Sequence, residues 1–255
     1  MRFVRPLLCA TGIATACTAI LTTFAGIAGA TPSTQVWIPS TDIQPFKTLH
    51  FNFDTYIRTK SEKDGEKLPP VVVLGPTVGI LPYQKIQAEV GFDLIHAGTD
   101  ADDYPLYFHG KVGTPEDSLF RYSPSVAFGG YNFGTKSDVT DQNVVYGVVA
   151  RTFPAIGRLS AGYFAGNNKL LVDANGNEDE QGLLLSWDRT LTEISDRLWA
   201  AVDYQGTDSA LGALSFGISC AFAKNASILF GYDIYHEKKT AGENTFTVQV
   251  DFNLP

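Results

Sequence analysis

Apolar and polar residues alternate along most of this chain with a period of two. In residues 86–94, Ile86, Ala88, Val90, Phe92 and Leu94 are apolar, while Gln87, Glu89, Gly91 and Asp93 are polar or glycine. Leu49 to Asp54 and Phe246 to Phe252 repeat the pattern, and Ile228 to Ile234 follows it closely. Successive side chains of a strand point to opposite faces, so these segments predict strands with one apolar and one polar face. No long stretch carries a 3.6-residue period. The predicted fold class is all-β.

Turn residues divide the pattern into about twelve strands, near 45–57, 70–81, 85–96, 105–113, 122–133, 143–152, 157–166, 181–189, 196–206, 210–222, 226–236 and 244–254, with ends good to about 2–4 residues. Lengths of roughly 9–13 residues suit tilted membrane-spanning strands better than the roughly five or six of soluble sheets. The odd-numbered connections, 58–69, 97–104, 134–142, 167–180, 206–209 and 237–243, are polar. Among the even ones, 82–84, 154–156 and 223–225 are tight, while 114–121 and 190–195 are longer. Short turns on one rim and longer polar loops on the other resemble the barrels of the Gram-negative outer membrane. That resemblance covers nearly all of 45–255 at the level of the class. It implies an antiparallel up-and-down transmembrane β-barrel in contact with outer-membrane lipid and lipopolysaccharide, inserted by the barrel-assembly machinery and passing small solutes. Phe246, Val248, Val250 and Phe252 resemble the class's C-terminal assembly signal, but Asn253-Leu254-Pro255 follows where a terminal aromatic is the rule.

The first thirty residues read differently. Arg2 and Arg5 precede an apolar stretch from Leu7 to Ile27 without an acidic residue, and the stretch ends on Ala28-Gly29-Ala30. This three-part pattern predicts a secretory signal peptide over 1–30, leaving Thr31 at the new N-terminus. After Ala30 no apolar run reaches the ~18–20 residues of a spanning helix. Residues 31–44, with Trp37-Ile38-Pro39, are too irregular for a strand and too apolar for a plain linker. They are expected to tuck into the barrel from the periplasmic side as a partial plug.

Composition narrows the chemistry. The 255-residue chain has a formal charge of −8, and the predicted leader removes two arginines, so a basic nucleic-acid-binding patch is absent. Cys220 alone would remain after cleavage, so no intrachain disulfide is available. His50, His96, His109 and His236 lack the spacing of a zinc hydrolase, and no cofactor motif occurs. Gly212-Ala213-Leu214-Ser215-Phe216-Gly217 places its serine one residue late for a nucleophile elbow and inside a predicted strand. Outer-membrane phospholipases share the twelve-strand count, which leaves an enzyme as a third alternative behind a channel and a non-conducting, loop-presenting barrel. Residues 173–180 open like a calcium loop, but Glu178 and Leu184 stand where a glycine and a bidentate glutamate belong, which favours an acidic surface turn.

A soluble β-sandwich would also alternate. Against it stand a heavily charged polar face and aromatics near strand ends, namely Tyr56, Tyr104, Tyr122, Phe153, Phe164 and Tyr235, placed as an interfacial girdle would be. If the apolar face meets lipid, the lumen candidates are His50, Asn52, Asp54, Gln87, Glu89, Asp93, His109, Lys111, Arg151, Arg197, Asp203, Asp233 and Asp251. Charges of both signs could pair and fill a narrow lumen or line a water-filled path. Twelve strands fall between the filled eight-strand and open sixteen-strand cases, and Gly91, Gly147, Gly162 and Gly231 would reduce the filling.

Overall fold

The computed structural model describes residues 33–61, 65 and 68–254, so the expected signal peptide lies outside the described residues. Twelve antiparallel strands close into a single barrel: β1 (Leu49–Arg58), β2 (Val71–Gly79), β3 (Gln87–His96), β4 (Leu106–Thr114), β5 (Ser125–Gly134), β6 (Asp141–Phe153), β7 (Gly157–Ala165), β8 (Gln181–Thr190), β9 (Leu198–Gln205), β10 (Ala213–Ala223), β11 (Ala226–Tyr235) and β12 (Thr245–Leu254). Each strand pairs with its sequence neighbours, and β1 closes on β12 from Leu49↔Leu254 to Arg58↔Thr245. Closure leaves no edge, so backbone N–H and C=O groups are satisfied within the wall, the condition for a sheet surrounded by hydrocarbon.

The alternation sorts the two surfaces. Phe53, Phe92, Phe128, Leu183, Ile218 and Phe230 project outward and are exposed, whereas Glu89, Asp203, Ser215 and Thr247 face inward and are buried. An exposed apolar band of this extent around a polar interior is the signature of a transmembrane barrel and the inverse of a soluble one. Exposed Tyr83, Phe120, Tyr122, Phe153 and Ile194 ring the rim of shorter connections. Part of the predicted girdle turns the other way. Tyr104, Tyr122 and Phe153 are exposed, but Phe164 is 1% exposed inside the barrel and Tyr56 and Tyr235 line an internal cavity. For Tyr56, Phe153, Phe164 and Tyr235, strand parity and not closeness to a strand end decides the face, while Tyr104 and Tyr122 lie in connections outside the strands.

Several strands start later than the pattern suggests. The first begins at Leu49 and not near residue 45, because Lys47 adopts a φ of 65° and the Thr48 amide bonds back to Pro45 O in a turn. The fifth begins at Ser125 after a turn in which Tyr122 has a φ of 67° and its amide donates to Asp117 Oδ1. β6 runs longer than expected, to thirteen residues.

Residues 33–44 lie inside the barrel. The Gln35 amide bonds to Ile38 O at 2.8 Å and Ser40 N to Ser33 O at 3.2 Å, with Thr34 bridged to Pro39, which closes a small hairpin. Phe46 bridges Gly79 at the end of β2, so the chain enters the lumen from the rim of shorter connections.

Candidate functional site: the divided lumen

The lumen has two unlike halves, and the hairpin makes the division. On one side Ile38 packs among Ala127, Val144, Tyr146, Val148, Phe164, Leu171, Leu184 and Leu211, and Val36 packs on Trp199, Ala201 and Leu229. Val36 fits a notch that side chains would fill. Gly217 and Gly231 are register partners, and a Cβ on either would stand 3.2 or 3.0 Å from a Val36 methyl.

Wall carboxylates hold the hairpin's backbone. Asp203 Oδ2 accepts the amides of Val36 and Trp37 at 2.7 and 3.0 Å. Glu89 accepts Ser33 Oγ at 2.8 Å and the Gln44 amide at 2.7 Å. Asp188 accepts the side-chain Gln35 Nε2 at 3.0 Å, Arg158 Nε at 2.9 Å and Trp199 Nε1 at 3.1 Å. Lys111 Nζ donates to the Ser33 and Ser40 carbonyls at 3.2 and 3.1 Å and pairs with Glu89 at 3.5 Å. Arg158 also reaches Asp42 at 2.6 Å, and Gln249 donates to Val36 O at 2.8 Å. Burial of such charges requires partners on every oxygen and proton, and here the segment's own backbone supplies many of them.

The other half stays hollow. A cavity of about 500 Å³ follows the wall of β1 to β5 and is bounded on its inner side by Ser33, Thr34, Trp37 and Pro39 of the hairpin. His50, Asn52, Asp54, Glu89, Asp93, His109 and Lys111 line it, joined by Tyr56, Tyr107, Tyr131, Tyr146 and Tyr235. Ala97, Thr99, Ala210 and Thr240 carry it to the rim of longer connections. Its floor is tight, since Gln44, His50, Glu89 and Lys111 are 1, 1, 2 and 5% exposed.

The structure thus brings together seven of the residues proposed from sequence. Asp203 meets the hairpin instead. Asp233 accepts Thr245 Oγ1 at 2.7 Å, and Asp251 pairs with His50 at 3.4 Å and accepts Ser227 Oγ at 3.3 Å. Gln87 opens β3 on the face of Glu89. Arg151 lies on the face of β6 that carries exposed Val145 and Val149, and it pairs with Glu116 and Asp117 at the rim of shorter connections. Arg197 is exposed just before β9, where its carbonyl accepts the Ala221 amide. Gly147 shares the outward face of Arg151, against the Phe128 ring, so it clears no lumen space. Asp188, Arg158 and the tyrosines escaped the sequence reading. Asp188 follows a Leu183-Leu184-Leu185 run that hides the alternation.

His109 is not set in the relay of a hydrolase. Thr77 Oγ1 and Asp93 Oδ2 both approach the same nitrogen of His109, Nε2, at 3.3 and 3.8 Å. A general base needs one ring nitrogen for the nucleophile and the other for its orienting acid. Among the described residues no cluster of three histidine, cysteine or carboxylate side chains is placed to hold a metal. In the 173–180 loop, Asp173 accepts the Asn175 and Asn177 amides and Asn177 Nδ2, and these hydrogen bonds hold its carboxyl below the usual range. Its oxygens serve the turn around Gly176.

No family model and no curated protein matches the chain. Similar solved structures include an outer membrane channel from Pseudomonas putida F1 (9% identity, TM-score 0.46, covering 89% of this chain and 98% of that one). The KdgM porin in complex with disordered oligogalacturonate gives 6% identity and a TM-score of 0.49 over 82% of this chain and 99% of that one. The outer membrane phospholipase A from Escherichia coli gives 11% and 0.44 over 84% and 94%.

Proposed function

We propose that this protein is an outer-membrane channel for small solutes whose lumen is half occupied by its own N-terminal segment. The observation that carries the reading is the cavity of about 500 Å³, lined by charged, aromatic and aliphatic side chains, inside a barrel whose outer face is apolar. A lumen built only to be filled would pair its charges and close. This one keeps an open strip along β1 to β5 that reaches the rim of longer connections. Residues 33–44 act as a partial plug entering from the periplasmic side, and the apolar band contacts outer-membrane lipid and lipopolysaccharide after insertion by the assembly machinery. His109 offers no catalytic relay, and we assign no enzymatic role.

The buried floor of Gln44, His50, Glu89 and Lys111 supports a second reading, a barrel closed at rest that presents its cavity and loops outward. Single-channel conductance of the refolded chain from residue 31, with and without residues 33–43, separates the two. Small steady openings that grow several-fold on deletion are the expected result. Equal conductance with and without the segment sinks the plug, and silence from both chains, each showing heat-modifiable folding, sinks the channel.

A further inference from the structure

The hollow half carries charges that differ in how they are compensated. Glu89 and Lys111 pair with each other at the floor and are further tied to the hairpin. Arg58, at the far end of β1, donates to Glu243 O at 2.6 Å and lies 5.4 Å over the Tyr235 ring. Between these levels sit Asp54 and Asp93, both half-buried and both lining the cavity.

Neither aspartate has an ion pair with lysine or arginine among the described residues. Asp54 accepts only the Asn52 amide at 3.0 Å in side-chain hydrogen bonding, and Asp93 has His109 at 3.8 Å. Asp54 on β1 and Asp93 on β3 occupy inward positions on either side of β2. Asn52 faces Gly75 on β2, and a Cβ on Gly75 would stand 2.3 Å from Asp93 Oδ1, so the Asp93 side chain lies over that glycine towards β1. Two carboxylates between low-dielectric walls concentrate counter-ions and raise the barrier to anions. The aromatic side of the cavity also suits a cation, and the Arg58 guanidinium already rests on one of its rings.

We infer that the cavity selects small monovalent cations, inorganic or primary-amine, over anions of similar size, and that Asp54 and Asp93 set this preference. The inference rests on the channel reading for its role in transport, but cation preference within the cavity has a readout that needs no conduction.

Two measurements are paired on the refolded chain, the Asp54→Asn/Asp93→Asn double variant, and Asp117→Asn as a control at the opposite rim. Reversal potentials in a potassium chloride gradient should give roughly tenfold cation preference in the parent and control, falling towards unity in the double variant. Quenching of Trp37, which lines the cavity, is compared for thallium(I) and iodide in a Trp187→Phe background, where the remaining tryptophan, Trp199, is buried with Val36 and does not line the cavity. Thallium should quench better, and the advantage should vanish with the aspartates. Conduction without cation preference, or with a preference the double variant retains, overturns the inference and leaves the channel standing. Silence with an aspartate-dependent thallium advantage removes the channel and keeps the cation site. Silence with equal quenching overturns both. Single replacements serve the same comparison should the double variant fail to show heat-modifiable folding.

Discussion

The half of the lumen bounded by β6 to β11 and the half bounded by β1 to β5 are built from strands and turns of the same kind, yet one is packed and the other hollow. In the packed half, inward positions are small or apolar: Val144, Val148, Leu184, Ala201, Gly217, Leu229 and Gly231. They bury the hairpin's Val36 and Ile38, and the carboxylates among them, Asp188 and Asp203, accept its N–H groups. In the hollow half, inward positions include Val71, Val73 and Ile95 but also Asn52, Asp54, Asp93 and His109, whose solvation an apolar hairpin cannot replace. Lumen polarity therefore decides where the segment docks, and charge left over decides what remains open.

The largest effect should come where the two halves meet. Lys111 is buried, paired with Glu89, and bonded to two hairpin carbonyls. Lys111→Met leaves Glu89 as an uncompensated buried charge and orphans both carbonyls, at a cost of about 3–5 kcal/mol to the docked state. Limited proteolysis of residues 33–46 should become fast while the heat-modifiable barrel persists. A segment as protected as in the parent would show that the junction holds nothing.

Next in size is Ile38→Ala, which empties the centre of the packed half. Ile38 is fully buried against eight apolar side chains, and truncation of such a residue costs about 2–5 kcal/mol. Urea titration followed by tryptophan emission in a Trp187→Phe background, where Trp37 belongs to the hairpin and Trp199 packs on its Val36, should show the segment releasing before the barrel unfolds. A single transition at the parent's midpoint would mean that the apolar contacts do not anchor the hairpin. Gly231→Ala tests the same half from the wall side. The new Cβ would stand 3.0 Å from Val36 and 2.9 Å from the Thr247 methyl, and overpacking of this kind costs about 1–3 kcal/mol. Higher open probability with unchanged ion preference is expected; unchanged gating would mean that Val36 yields freely.

The comparison also explains what could be read from the sequence. Strands β1, β3 and β4 alternate cleanly because their inner face is wet, so His50, Asp54, Asp93 and His109 were legible as lumen residues. Val144-Val145, Val148-Val149 and Leu183-Leu184-Leu185 are apolar on both faces because the hairpin covers one of them. That doubling blurs the period and hid Asp188. Arg151 and Arg197 were misleading because a strand-end charge is as well solvated at a rim as in a lumen. The positions of Val36 in its glycine notch and of Asp203 under two backbone amides depend on contacts between residues over 160 apart, which no local pattern encodes.

The smallest effect should come from a charge outside both halves. Asp117 sits in the exposed 115–124 connection, where Arg151 and the Tyr122 amide hold its carboxyl below the ordinary carboxylate range. A depressed folded-state value means that the contribution is present above the unfolded-state pKa and fades as pH falls through the folded one. Acidification should therefore loosen this turn, raising amide exchange at Tyr122, and Asp117→Asn should remove that pH dependence. Because the pair is solvent-screened and lies at the rim, neither acidification of this turn nor the substitution should alter protection of residues 33–46 in the packed half or cation preference in the hollow one. A change in either on Asp117→Asn would show that rim charge, and not the contrast between the two lumen walls, governs the interior.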